Sequence, residues 1–432
     1  MSNAIEQFFR LKEQGTTVRR ELTAGATTFL AMAYITIVNP VILSDAGMDF
    51  GAVFVATCLA AALGTAVMGL YANYPVAQAP GMGQNAFFTY GIVLGLGYTW
   101  QSALGAVFIS GLIFIALSVL PVREWLINAI PRSLKLGISA GIGFFLGIIA
   151  LSGSGVIVSN DATIVGLGDL TEAPAMFMLL GFVLIAALAV RKTTGAVMLG
   201  MLLVTALGWA TGVAEFQGVF SAPPSLSTLG ELDISAALDL SMITVIITLL
   251  LVDVFDTAGT LVGVANRANM LDAEGRLPRL RKALLSDSSA TAVGAVLGTS
   301  STTSFIESAA GVEAGGRTGL TALTTAGLFL LCLFFAPLAQ SIPAFATGAA
   351  LLFVATIMAR ALEDLSWGDV AESAPAVVTA IAIPLSYSIA DGIGLGFITY
   401  ALVKLISGEA RQCPFAVYVV AAIFVLKFGF LG

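Results

Sequence analysis

Residues 78–88 read QAPGMGQNAFF. Proline and glycine break helices, and an amide side chain is costly to bury without a partner. Yet the stretch lies among long apolar runs. These recur from about residue 22 to the C-terminus, each near the ~20 residues that cross a bilayer as a helix. The chain has 432 residues, of which 58% are hydrophobic and 10% charged. Its mean hydropathy is +0.98. A soluble domain carries roughly a quarter charged residues. The composition therefore specifies an all-α polytopic membrane protein with no large soluble domain. Irregular backbone at membrane depth is tolerated where it is buried in protein or lines a cavity. That makes 78–88 the first place to look for a site.

Composition removes several classes of chemistry. The three cysteines, Cys58, Cys332 and Cys413, form neither a disulfide framework nor a metal-ligand spacing, and read as small apolar fillers. Histidine is absent, which removes the commonest metal ligand and the usual proton relay near neutral pH. Proton chemistry must then fall to carboxylates. No Walker loop, nucleotide-binding cassette or metal motif is present, so no cofactor is expected and energy must come from an ion gradient. No nucleic-acid partner is expected; the net charge of −7 lies mostly in short loops. The N-terminal MSNAIEQFFRLKEQGTTVRRE lacks the apolar core of a cleavable signal. It reads as a short amphipathic helix on the cytoplasmic surface, with Phe8, Phe9 and Leu11 facing lipid or protein.

Fourteen apolar segments are expected, at 22–43, 51–71, 80–97, 101–120, 134–156, 174–190, 195–212, 240–266, 285–299, 303–315, 319–340, 345–361, 371–389 and 391–407. Lys and Arg placement orients them with the N-terminus inside. Arg10, Lys12, Arg19 and Arg20 are followed on the same side by Arg123, Arg132 and Lys135, then Arg191 and Lys192, then Arg267, Arg276, Arg279, Arg281 and Lys282, then Lys404 and Arg411. The long 213–239 connection has no Lys or Arg and falls outside. Two halves of seven spans with opposite orientation result, a transporter signature in which matching broken helices mark the binding site. Span three holds QAPGMGQNAFF, and span ten opens with GTSSTTSFIES, 298–308. The apolar segment 414–432 follows span fourteen. Either it lies along the inner face, or 371–407 is one long helix divided at Ala390–Gly394.

Ionisable groups inside a membrane are rare and usually functional. Asp253 and Asp256, in LLLVDVFDTAGT, are three residues apart and share a helix face. Two carboxylates so close repel when both are charged, which makes them a proton-binding pair without histidine. The competing reading is that one caps a break or pairs with a cation. Glu307 follows the Ser/Thr stretch and begins a helical run; it is either a ligand contact or a dipole cap. Asn85 follows Pro80, Gly81 and Gly83, whose small size lets a ligand approach the backbone. Gln84 is expected to point elsewhere. Phe87 and Phe88 could stack on a flat ligand, with packing favoured for at least one. Arg317 is expected to pair with Glu313, Asp287 to cap a helix, and Asp391 to lie in an outer turn. Together these side chains imply a small, flat ligand rich in N–H donors. A nucleobase fits; phosphate or sulfate would be repelled by the acids.

The strings APGMGQNAFF, VDVFDTAGTL and TSFIESAAGVEAGGRTGLTA resemble the AzgA-like purine permeases, a branch of the nucleobase–ascorbate transporter superfamily. The resemblance extends over nearly the whole chain, through PLSYSIADGIGLGFITY. It implies two inverted repeats of seven spans, with short strands in spans three and ten meeting beside the substrate. It implies a core domain from 22–120 and 240–340 and a gate domain from 134–212 and 345–432, after a cytoplasmic segment 1–21. It also implies purine–proton symport across an inner membrane, contact with lipid, and a homodimer. By motif, Asn85, Gly83, Asp253 and Glu307 fall on substrate positions, joined by Phe87, and Asp256 falls on the proton-coupling acid. The two aspartates could exchange roles. Uracil-type relatives carry a histidine one turn after the span-eight acid; here Thr260 stands there, so coupling cannot use histidine. Sodium is the less favoured coupling ion. Rival readings are a uracil, xanthine or anion carrier of the same fold, a channel, and an intramembrane enzyme; an enzyme's paired acids would be expected on separate helices.

Overall fold

The computed structural model describes residues 2–120, 130–272 and 277–430. Arg123 and Arg276, two of the charges used for orientation, lie outside the described residues. Among the described residues, nine helical segments are long and apolar enough to cross a membrane. They coincide with nine of the fourteen expected spans. The other five each fall short for a local reason. Expected spans three and ten are interrupted by strands. Spans seven and thirteen form helices of 15 and 17 residues, Ala196–Ala210 and Val370–Ser386. Span nine forms the helix Leu280–Leu297, which contains Arg281, Lys282 and Asp287.

Both interrupted segments have the same plan, an extended strand and then a short helix. Strand β1, Gln78–Pro80, leads into the helix Met82–Ala86, which continues in wider π-type turns through Gly95. A second short hairpin, β2 (Ile157–Asn160) with β3 (Ile164–Leu167), lies between two long helices. Strand β4, Thr302–Ser304, leads into the helix Ser308–Glu313. The two interrupted segments meet because β1 and β4 pair antiparallel, with Gln78 opposite Ser304, Ala79 opposite Thr303 and Pro80 opposite Thr302. Pro80 cannot donate to a ladder, so it suits the end of this strand. Pairing satisfies backbone groups that a broken helix would otherwise leave bare in the membrane. Gly81 N extends it by donating to Ser301 O at 3.0 Å.

Around this junction the helices pack in two sets. Trp100–Val119 packs on Leu280–Leu297, and Val18–Met32 on Gly319–Cys332. Phe50–Val67 also packs on Gly319–Cys332, and the adjoining turn approaches closely at two glycines: a Cβ on Gly69 would come 2.6 Å from the Gly319 carbonyl. Such small-residue contacts let membrane helices associate by close backbone approach. In the other set, Arg132–Gly153 packs on both Ala344–Ala359 and Val370–Ser386.

A short N-terminal helix forms at Ser2–Phe9, and of the residues expected to face lipid or protein, Phe9 and Leu11 pack on protein with Leu320 while Phe8 is exposed. The stretch 371–407 is two helices. Tyr387 turns into the left-handed region (φ 53°) and ends Val370–Ser386, and Ser388 caps Ile389–Ile406 by accepting from Asp391 N. Asp391 thus sits in a helix's first turn. It pairs with Lys427 at 2.5 Å, on the helix Phe415–Phe430, which packs along Ile389–Ile406. Within the expected segment 414–432, the described residues thus form the helix Phe415–Phe430 docked on its predecessor.

Candidate functional site

Where β1 and β4 meet, a cavity of ≈ 230 Å3 opens between the two helix sets. Asp256 and Glu307 line it, with Thr260, Thr303 and Gly83 from the broken-helix side. Ser139 on Arg132–Gly153 and Val354, Ile357 and Met358 near Ala344–Ala359 close the opposite wall. The cavity therefore presents acids and hydroxyls on one side and, apart from Ser139, an apolar face on the other. That suits a flat ligand with N–H donors along an edge.

Each lining group has a local cause. Asp256 lies on Ile243–Arg267 with Thr260 one turn later, so both reach the same space. Glu307 is the residue just before Ser308–Glu313, where the extended segment turns into helix. Its Oε1 accepts from the Tyr34 hydroxyl at 2.6 Å. Tyr34 lies at the junction of Val18–Met32 and Ile35–Asp45 and is fully buried. The sequence offers little to single out Tyr34 beyond a phenol in an apolar run. Gly83 brings the half-helix against the opposite wall: a Cβ there would come 2.5 Å from Ile142 Cγ2.

The other expected site residues are placed elsewhere. Asp253 does not line the cavity. Its Oδ1 accepts from Gln84 Nε2 at 3.1 Å, and its Oδ2 lies 2.9 Å from Thr291 Oγ1. Three residues on a helix advance the direction by about 300°, enough to put Asp256 in the cavity and Asp253 against the neighbouring helix. Gln84 does not point away; it holds Asp253. Asn85 is fully buried, and its Oδ1 accepts from Ser300 Oγ. It ties the two interrupted segments together. Phe87 is buried with its ring on Gly91 of its own helix, where an added Cβ would come 2.5 Å from the ring. Phe88 is likewise buried.

Two further sequence expectations are corrected here. Asp287 is not a cap. It is buried inside Leu280–Leu297 and accepts from Thr257 at 2.6 Å, Ser304 at 2.8 Å and Gln78 at 3.0 Å. Arg317 does not pair with Glu313. Its Nη1 donates to the carbonyls of Val312 and Gly316, both at 2.7 Å, satisfying the end of the short helix. Glu313 pairs instead with Arg267 at 2.8 Å. Across the described residues, no group of three or more His, Cys, Asp or Glu side chains could hold a metal ion.

Residues 19–395 match the Permease family. Adenine permease AdeP of Escherichia coli is 46% identical over 428 residues, covering 99% of this chain and 96% of that protein. Guanine/hypoxanthine permease PbuG of Bacillus subtilis is 44% identical over 440 residues, covering 99% and 100%. Among solved structures, the transmembrane domain of a cyanobacterium bicarbonate transporter, BicA, superposes with a TM-score of 0.64. It covers 86% of this chain and 96% of that domain at 16% identity, which speaks to fold alone. The chain belongs to this permease family: it is a multi-pass membrane transporter and not an enzyme.

Proposed function

We propose that this permease carries purine nucleobases, in symport with protons, into the cell across the inner membrane, with its N-terminus cytoplasmic. The observation that carries the reading is the pair of carboxylates, Asp256 and Glu307, in a small cavity at the crossing of two interrupted helices. Carboxylates accept the N–H groups of a purine edge, and the opposite apolar wall covers its face. Full-length likeness to permeases named for adenine and for guanine/hypoxanthine supports the substrate class. Acids facing the cavity disfavour an anion, although the solved structures of like fold include a bicarbonate transporter.

In this proposal Glu307, oriented by Tyr34, and Asp256 contact the base, while Gly83 leaves room for it. Asp253, the base contact suggested by motif, is committed to Gln84 and Thr291, which favours the exchange of roles. Asn85 fixes the crossing through Ser300 rather than touching the ligand in this conformation. The architecture is fourteen spans in two inverted repeats, with 22–120 and 240–340 as the core and 134–212 and 345–432 as the gate. The two helix packing sets support that division, and the cavity opens between them. Movement of one set against the other would expose the cavity to alternate sides.

The test is uptake of radiolabelled adenine and hypoxanthine into cells lacking their own purine carriers, expressing wild type or Glu307→Gln. Runs at acidic and neutral external pH include a protonophore control. Saturable, protonophore-sensitive uptake that is lost in the variant is the expected result. No uptake of either base, by protein shown to reach the membrane, would refute the purine assignment.

A further inference from the structure

Beside the strand pair, two buried carboxylates lie on adjoining helices, each hydrogen-bonded to a threonine of the other helix. Asp253 and Thr257 stand one turn apart on Ile243–Arg267, and Asp287 and Thr291 one turn apart on Leu280–Leu297. The contacts cross-link them reciprocally. Thr291 Oγ1 lies 2.9 Å from Asp253 Oδ2, and Thr257 Oγ1 donates to Asp287 Oδ2 at 2.6 Å. Asp253, Thr257, Asp287 and Thr291 are all fully buried. Neither aspartate takes part in an ion pair with Lys or Arg among the described residues. Two buried, uncompensated charges are strongly unfavourable, so the pair needs a cation or a proton.

The hydrogen-bond inventory points to a proton. Thr291 has one hydroxyl proton and faces two acceptors, Asp253 Oδ2 and the Thr302 carbonyl at 2.8 Å. Both contacts are satisfied together when Asp253 carries a proton and donates it to Thr291, which then donates to Thr302. Beside the pair, two buried acceptors have no partner. One is Gln84 Oε1, on the amide whose nitrogen holds Asp253. The other is Thr302 Oγ1. Side chains alternate along a strand, so Thr302 faces the same way as Ser304, which donates to Asp287.

A path from the cavity exists. Thr303 lines the cavity, and its Oγ1 lies 2.8 Å from Thr257 Oγ1. Thr257 commits its proton to Asp287, so Thr303 is the donor in that contact. A proton enters when Thr257 gives its hydroxyl proton to Asp287 Oδ2, takes one from Thr303, and Thr303 takes one from a hydronium ion in the cavity. The net change is one proton lost by the cavity and one gained by the pair. Of the titratable groups on elements packed against Leu280–Leu297, Asp253 and Asp256 interact with Asp287 from Ile243–Arg267. Cys58 and Tyr71 lie on Phe50–Ala72, with Tyr71 beside Lys282 at 5.1 Å. Strands β1 and β4 and Trp100–Val119 carry none.

We propose that the coupling proton is held by the Asp253–Asp287 pair beside the strands and reaches it through Thr303 and Thr257, while Asp256 and Glu307 face the ligand. This rests on the proposed symport. It assigns Asp287 a coupling role and leaves base contact to Asp256 and Glu307.

The test reconstitutes wild type, Asp287→Asn and Thr257→Val in liposomes containing a pH-sensitive dye. Radiolabelled adenine and hypoxanthine are used under two conditions: exchange without a pH gradient, and accumulation driven by one. Wild type is expected to exchange base, accumulate it, and acidify the lumen as external base is added. Both variants are expected to retain exchange and to lose pH-driven accumulation and acidification. A merely structural role would lower exchange and accumulation together, and that result overturns the proposal. If Asp287→Asn does not fold, Thr257→Val decides, and wild-type acidification in that variant overturns the proposed path and pair. A wild type that exchanges neither base refutes the proposed function. A wild type that exchanges base without moving protons overturns the coupling alone.

Discussion

The Tyr34 hydroxyl donates to Glu307 Oε1 at 2.6 Å, joining residues 273 positions apart in the chain. Tyr34 is buried, so the bond fixes the carboxylate's orientation without reaching the ligand itself. Hydrogen bonds to charged groups contribute about 1.5–3 kcal/mol. Tyr34→Phe should therefore weaken base affinity by roughly tenfold or more. Initial-rate uptake at several base concentrations checks this. A raised KM with folded, membrane-inserted protein is expected, and an unchanged KM would separate Glu307 from the binding event.

Gly83 meets the opposite wall at Ile142. A Cβ at position 83 would come 2.5 Å from Ile142 Cγ2, a branched methyl with little freedom to withdraw. Overpacking of this kind costs about 1–3 kcal/mol. Gly83→Ala should slow uptake by reshaping both the cavity and the surface between the helix sets. Adding Ile142→Ala should restore much of the rate, because it removes the atom that clashes. Comparing the single and double variants in one uptake assay isolates the pair. A double variant no faster than Gly83→Ala would show that the glycine matters for another reason.

The sequence made the interrupted segments legible because Gly, Pro, Ser and Thr stand out against apolar runs. It exposed Asp256 and Glu307 for the same reason. Nine expected spans coincide with long apolar helices, and the expected span 285–299 coincides with the helix Leu280–Leu297, which carries Arg281, Lys282 and Asp287. What it could not show was direction. Asp253 and Asp256 lie on one helix, yet one enters the cavity and the other crosses to Thr291. Gln84 and Asn85 are neighbours, yet the first holds Asp253 and the second meets Ser300. In a half-helix starting after a strand, the rotational phase depends on partners far away in the chain. Asp287 and Tyr34 stayed hidden because their roles arise from such partners.

Arg317 and Arg267 allow a contrast between two kinds of arginine contact. The Arg267–Glu313 pair is more than half exposed on both sides, at 58% and 64%. Exposed pairs contribute about 0–1 kcal/mol. Arg317 instead donates to two carbonyls at the end of Ser308–Glu313, beside the Glu307 turn. Arg317→Met removes a donor from both carbonyls, leaving Val312 O with the Gly315 N–H alone, and should lower thermal stability in detergent more than Arg267→Met. Equal melting temperatures for the two variants would show that water or another donor replaces Arg317.

Glu21 supplies the strongest stability prediction. It is fully buried, and its carboxylate accepts from the backbone N–H groups of Arg317, Thr318 and Thr321 and from both threonine hydroxyls. It thus satisfies the free N–H groups at the start of Gly319–Cys332 from another helix, where an acid also complements the dipole. Leaving a buried donor unsatisfied costs about 1–3 kcal/mol. Glu21→Ala removes the acceptor for several at once, so the loss should be at least about 3 kcal/mol. Glu21→Gln keeps one acceptor oxygen and should retain part of the stability. The expected order of detergent melting temperatures is wild type, then Glu21→Gln, then Glu21→Ala. Because Glu21 does not line the cavity, base affinity of the surviving folded protein should change far less than in Tyr34→Phe. A Glu21→Ala protein that melts with wild type would mean that this helix start finds other acceptors.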